Sequence, residues 1–205
     1  MLEVKIELKG VDDFIKTHDP KKVALAMHSA MNKTAQQART YAAKLIGGEY
    51  CIQKTRINNL LHISARSSGG NLSAVITGEG MGLPLGYFGP KQVGVSVSKK
   101  KGFKYNRRSH RTGHLRRGGE VSVEVRRGAR KIVSGSPKPF MTILKSGHIG
   151  VFQRTGKGRL PIQQLYGPGV GGLFGSEKIF KNVETFINQK FEPLLIADLK
   201  WRFQK

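Results

Sequence analysis

Acidic residues are scarce in this chain. Its 205 residues hold 13 Asp and Glu against 36 Lys and Arg, a formal net charge of +23. A surface so short of carboxylates attracts polyanions and repels cations, so nucleic acid or an acidic protein surface is the natural partner. The few acids lie mostly toward the two ends, which gives little basis for a paired-carboxylate hydrolase or a two-metal nuclease. Cysteine is almost absent. Cys51 stands alone, which excludes an internal disulfide and a cysteine-cluster zinc site and fits a reducing compartment. No run approaches the ~18 apolar residues of a membrane helix, and Met1-Leu2-Glu3-Val4-Lys5 alternates too quickly for the apolar region of a signal peptide. The expectation is a soluble, unexported protein with no membrane partner, long enough to bury roughly two-thirds of its unfolded surface.

What is present reads as strand, long helix, several strands, helix. Leu2 to Lys9 alternates apolar and polar residues, the period of a half-buried strand. Asp19-Pro20 supplies an N-cap and a first-turn proline. Val23, Met27, Ala30, Met31, Thr34, Ala38, Tyr41, Ala42 and Leu45 then recur every three or four residues along one helix face, and Gly47-Gly48 is the expected stop. Thr55 to Leu61 fits a short helix. Ile63–Ala65 and Leu72–Ile76 flank Ser67-Ser-Gly-Gly70 as a hairpin, and the Gly- and Pro-rich stretch from Gly80 to Pro90 reads as loop. Val121–Val125, Phe140–Leu144 and Val151–Arg154 read as antiparallel strands. A Gly156-Lys157-Gly158 turn leads to a further strand, which Pro161 places at a sheet edge. Ser176 can cap a last helix bearing Ile179, Phe180, Val183, Phe186, Ile187 and Phe191 on one face, and Pro193 is expected to kink or break it. The order implies an α+β fold: a mainly antiparallel sheet packed by a long N-terminal helix and a C-terminal helix. One domain over residues 1–205 is expected, with a projecting basic loop at about 98–118.

That loop holds Lys99, Lys100, Lys101, Lys104, Arg107, Arg108, Arg111, Arg116 and Arg117 and no carboxylate. Such a run cannot enter a core, because each unpaired buried charge costs several kcal/mol; its like charges also repel, so it should project and await a partner. Phe103, Tyr105, His110 and His114 interleave with it, compatible with stacking on bases or contact with phosphates. A solvated arm serving solubility is the plainer alternative. No helix-turn-helix, zinc-finger or RNA-recognition signature accompanies the run, so any nucleic-acid contact should be electrostatic and not sequence-specific.

Catalytic signatures fail on inspection. Gly150-Val-Phe-Gln-Arg-Thr-Gly156-Lys157 has one residue too many between its glycines for a phosphate-binding loop, and Gly158 stands where Ser or Thr should hold magnesium. Gly167-Pro-Gly169-Val-Gly-Gly172 matches a dinucleotide-binding pattern by letter, but it contains proline and lacks a following strand with a ribose-binding acid. His110 and His114 have no nearby ligand set for a metal before Glu120 and Glu124. Cys51 and His62 lack an orienting third group. No catalytic residue, metal or cofactor is expected.

One segment carries a resemblance. Val151-Phe152-Gln-Arg154-Thr-Gly-Lys-Gly-Arg159-Leu-Pro161-Ile162-Gln-Gln-Leu-Tyr166-Gly167-Pro168 resembles the hallmark stretch of tailed-phage minor tail protein Z and related tail-completion proteins. There a strand ending in Phe-x-Arg leads through a basic turn to Arg-x-Pro-Ile and a Gly-Pro break before the closing helix. The Ala-rich early helix, basic middle and amphipathic last helix extend the likeness over most of the chain. The resemblance implies a virion structural protein at the head-proximal end of the tail, made in the host cytoplasm, which completes the tail for head-tail joining as a ring of copies. Its implied partners are itself, other tail and neck proteins, and packaged DNA. Phe152, Arg154, Arg159, Pro161, Ile162, Gly167 and Pro168 match the motif as determinants of fold and interface, with no reactive role. The alternative from charge alone is a general nucleic-acid-binding protein, such as a ribosome-associated or packaging factor.

Overall fold

The computed structural model of the chain describes residues 3–5, 19–68, 71–93, 120–143, 149–158 and 160–204. They group into two compact units. The first comprises Met1–Gly47, Lys54–Met81 and Gly169–Lys205, the second Gly48–Gln53 and Gly82–Pro168. The fold is α+β, and every strand pairing is antiparallel.

The first unit opens with β1 (Glu3–Lys5) and helix α1 (Pro20–Glu49); the rest of the expected 2–9 strand and the segment after Gly10 lie outside the described residues. Asp19 caps α1 as its chemistry predicts, its Oδ1 accepting the Lys21 N–H at 3.0 Å. The buried face includes the expected Val23, Met27, Ala30, Met31, Thr34, Ala38 and Ala42, and adds Ala26, Ala35, Ala43 and Ile46. Tyr41 and Leu45 sit only half-buried at its margin. Gly47-Gly48 lies in the last turn, and the helix ends one residue later at Glu49. A glycine costs only about 1 kcal/mol against alanine within a helix, and fully buried Ile46 anchors the last turn.

Helix α2 (Lys54–Leu60) leads directly into β2 (Leu61–Ser68), which pairs with β3 (Asn71–Gly78). The register sets Ser68 opposite Asn71, so the hairpin strands run further than the apolar residues alone indicated. The sheet order is β1-β3-β2. Ala74 and Ile76 of β3 are buried two residues apart, the period of a strand with one covered face. Ala74 packs with Met31 and Ala35 of α1, and Ile63 and Phe191 complete the cluster. Small side chains on α1 let helix and sheet approach closely.

The unit ends in the short helix α3 (Val170–Phe174) and the long helix α4 (Glu177–Phe203). Lys22 lies over the Phe203 ring, Lys33 bonds Asp198 and Tyr41 stacks on Phe186. The falling partner numbers make α1 and α4 antiparallel neighbours. Two expectations for α4 are corrected. Ser176 precedes the helix, but its hydroxyl makes no capping bond and is buried without a partner; only its carbonyl serves, accepting the Phe180 N–H. Pro193 does not break the helix, which runs unbroken past it. Proline removes one i→i−4 bond, and packing of Phe191 on one side and Asp198 on the other holds both halves in place.

The second unit contains two three-stranded sheets. One orders β4 (Lys91–Val93), β5 (Glu120–Arg126) and β6 (Ala129–Ile132); the other orders β7 (Phe140–Ile143), β8 (Ile149–Arg154) and β9 (Ile162–Gln164). Pro161 precedes β9, which is an edge strand as expected. Central strand β5 buries Val121, Ser122 and Val123 consecutively, so both of its faces are covered despite the alternating sequence. The Gly80–Pro90 stretch is more than loop: it holds a 3-10 turn at Leu85–Tyr87, and Leu83, Leu85 and Phe88 are buried. Glycine removes the obstacle to that packing. A Cβ at Gly86 would run into the Ile149 carbonyl oxygen.

Candidate functional site

The basic run from Lys99 to Arg117 lies outside the described residues, but its root is visible. Strand β4 ends at Val93, directly opposite Glu120 at the start of β5. The chain numbered 94–119 therefore joins two neighbouring points of the sheet.

Below that root, several basic residues that follow the run in sequence are held by the fold. Arg130 donates from Nη1 to the Gly89 carbonyl at 3.0 Å and from Nη2 to Glu124 Oε2 at 3.0 Å. The other Glu124 oxygen accepts the N–H of Gly128 at 2.9 Å, whose φ of +78° forms the turn between β5 and β6. That backbone bond, helped by Arg130 and Lys91 against the opposing effect of burial, holds the Glu124 carboxyl below its ordinary range. Arg126 lies 5.9 Å from the Tyr50 ring centroid, a cation–π distance. The main chain at 49–51 pairs with the far end of β5, through Cys51 N–H to Val125 and Arg127 N–H to Glu49.

The family-like segment forms β8, a turn and β9. Phe152 is 5% exposed and sits opposite Phe140, with ring centroids 6.3 Å apart. Arg154 closes the turn: its Nη1 donates to the Gly158 carbonyl at 3.0 Å while its guanidinium lies 5.7 Å from the Phe140 centroid. Thr155 donates from both its backbone N–H and its hydroxyl to the Pro161 carbonyl. Ile162 pairs with Arg154 across the ladder and is half-buried. Gly167 donates its N–H to Leu83 at 2.7 Å, and a Cβ there would meet Phe88 at 2.8 Å. Pro168 is half-buried, and Arg159 lies outside the described residues.

The rejected catalytic patterns now have concrete structural roles. Gly150 lies within β8, where a Cβ would strike the Phe152 ring at 2.6 Å; no loop cradles a phosphate there. In the Gly167–Gly172 stretch the glycines permit backbone contact. Gly171 donates its N–H to the Glu79 carbonyl at 2.8 Å, and a Cβ on it would lie 2.7 Å from the Gly78 oxygen. The His62 ring Nε2 lies 2.9 Å from Glu79 Oε1, and Cys51 is a half-buried free thiol. His110 and His114 fall outside the described residues. Among the described residues no cluster of three or more His, Cys, Asp or Glu could hold a metal, and no helix is long and apolar enough to cross a membrane.

Sequence reading overlooked the exposed face of α1. Two cavities border it: one of about 630 Å³ lined by Lys33, Gln37, Thr40, Lys44, Lys54 and Asn58 among others, and one of about 490 Å³ lined by Asn32, Arg39, His62 and Ile63; Gln36 lines both. The available signal was the absence of any carboxylate from Pro20 to Gly48.

Comparison with curated proteins and with solved structures gives no match. The family model for prophage minor tail protein Z (GPZ), in contrast, matches residues 8–203. The match takes in the β8–turn–β9 segment, the long helices at either end and the basic middle. The chain belongs to the prophage minor tail protein Z family and is a structural protein of the phage tail.

Proposed function

We propose that this protein completes the head-proximal end of the tail for head-tail joining, acting as a ring of identical copies within the virion, after assembly in the host cytoplasm. In this reading residues 1–205 work as one tail-completion domain with no catalytic activity, and Lys99 to Arg117 contacts packaged DNA or an acidic neighbour without base specificity. The observation that carries the reading is the family match over 8–203 in a chain whose acid-free run is rooted at the single pair Val93 and Glu120. A ring around a DNA path needs dense positive charge with little sequence readout. It also needs surfaces for heterologous subunit contact. Edge strand β9 offers a strand-pairing border, flanked by the exposed apolar side chains of Leu160 and Tyr166.

Deleting Lys99 to Arg117 tests the reading. The shortened protein should still enter tails and form rings in low-resolution images, while the resulting particles join heads or deliver DNA poorly. Unchanged joining and delivery would reduce the run to a solvated arm. The run's charge also favours a second reading, a general nucleic-acid-binding protein. It predicts a monomer whose entire nucleic-acid affinity disappears with the run, and no defect in tails. A nuclease would cleave DNA when supplied with metal; no cleavage is expected.

A further inference from the structure

We propose that the exposed face of α1 from Asn32 to Lys44, together with Lys54 and Asn58 of α2, is a docking surface for an acidic peptide segment of another protein. It uses none of the residues of the basic run.

The placement follows from helix geometry. At 100° per residue, Gln36 sits opposite the buried face of α1. Lys33, Gln37, Thr40 and Lys44 fall to one side of it, and Asn32 and Arg39 to the other. The larger cavity lies on the first side and the smaller on the second, with Gln36 as the ridge between them. No carboxylate lines either cavity. Lys33 is bonded to Asp198, whereas Lys44 and Lys54 have no acidic partner among the described residues. The Arg39 Nε and the Asn58 side-chain oxygen are buried without hydrogen-bond partners, a costly condition that a bound ligand would relieve.

The occupant is set by the chemistry of the walls. Lys44, Lys54 and Arg39 call for carboxylates. Four side-chain amides, from Asn32, Gln36, Gln37 and Asn58, offer both donors and acceptors, which match those of a peptide main chain. Nucleic acid fits less well. The Tyr41 and Phe186 rings stack on each other, with centroids 4.4 Å apart and planes within 12°, so their facing surfaces are closed to bases. Another copy of this chain is also a poor source of acid. Of its described carboxylates, Glu79, Glu124, Glu177 and Asp198 already hold internal partners.

The test uses the full chain with the nine Lys and Arg of residues 99–117 changed to glutamine, so that the run cannot mask the surface. Fluorescence anisotropy then measures binding of a labelled Glu-rich peptide and of a labelled oligothymidine strand. Relative to that background, K44E/K54E should weaken the peptide about tenfold, the scale on which reversing interfacial charge acts. The control pair K138E/K157E makes the same change in net charge on exposed lysines of the second unit and should weaken it far less. Arg39→Gln should also weaken the peptide, by a smaller factor. Equal losses for the two lysine pairs would mean that only the overall field matters and would overturn the proposal. A larger loss for oligothymidine than for the peptide would overturn it in favour of nucleic acid.

Discussion

Arginines on the second unit's sheets and two lysines on the first unit's α1 and α2 carry the same charge but are used differently. Arg126 rests on a ring, Arg130 ties Gly89 to Glu124, and Arg154 closes the turn before β9 while facing Phe140. Each guanidinium serves the fold that holds it. Lys44 and Lys54, by contrast, border an open cavity with no acid in its lining. A planar fork suits carbonyl and ring contacts that fix a fold, while a hydrated ammonium on a flexible stem suits a surface that awaits a partner. A net charge of +23 thus combines cations absorbed by the structure with cations left to act.

The largest expected effect lies in the second unit's core. Phe152→Ala removes a buried ring and should cost about 3–5 kcal/mol in urea unfolding. A loss below about 1 kcal/mol would mean that the β8 segment is not a folding element. Gly171→Val comes next. The new side chain must displace the Gly78 carbonyl, so a cost of about 1–3 kcal/mol is expected, read as a lowered Tm. An unaltered Tm would show that α3 and β3 do not need their close approach.

Asp198 tests an ion cluster that is tied into the fold of the first unit. Burial alone would raise its carboxyl, but bonds from Lys33, Ser29 and Arg202, with the charge of Lys33, outweigh that and hold it below its ordinary value of 3.8. A depressed carboxylate stabilises the folded state fully above the unfolded pKa and loses that contribution as pH falls through the folded one. Thermal stability should therefore decline below about pH 3.8, and Asp198→Asn should flatten part of that decline. The neutral-pH cost of Asp198→Asn should be about 1–2 kcal/mol. It stays below the range for a fully buried pair because the Lys33 side chain is 53% exposed and can turn to water.

Arg154→Ala should cost about 1 kcal/mol, with the loss of one bond to a carbonyl and one ring contact. The smallest change is expected for K44E/K54E, whose folding stability should stay within about 0.5 kcal/mol of the parent. If chemical denaturation ranked these last two in the opposite order, the contrast between absorbed and available cations would be wrong.

Much of this was legible in the sequence because local periodicity coincided with burial. Asp19-Pro20 marks the start of α1, the three- and four-residue spacing marks its core face, and Ser67-Ser-Gly-Gly70 marks the hairpin of β2 and β3. The misreadings arose where tertiary packing outweighed local preference. Pro193 is a weak break in a helix whose flanks are anchored by Phe191 and Asp198. The buried role of Leu83, Leu85 and Phe88 was hidden because glycine and proline around them read as loop. Phe152 and Arg154 could be singled out only through a family resemblance; nothing in the spacing foretells that Arg154 would bond Gly158. The α1 surface was missed because a missing residue type leaves no motif to notice.

The pairing of Val93 with Glu120 has a consequence for how such a protein can change. Because Val93 and Glu120 are adjacent, the closure entropy of the chain that joins them depends only weakly on its length, roughly 0.6 kcal/mol for each doubling. Its length and sequence can then be exchanged like a cassette while the sheet beneath keeps its register. Related chains could thus share one sheet and vary the insert.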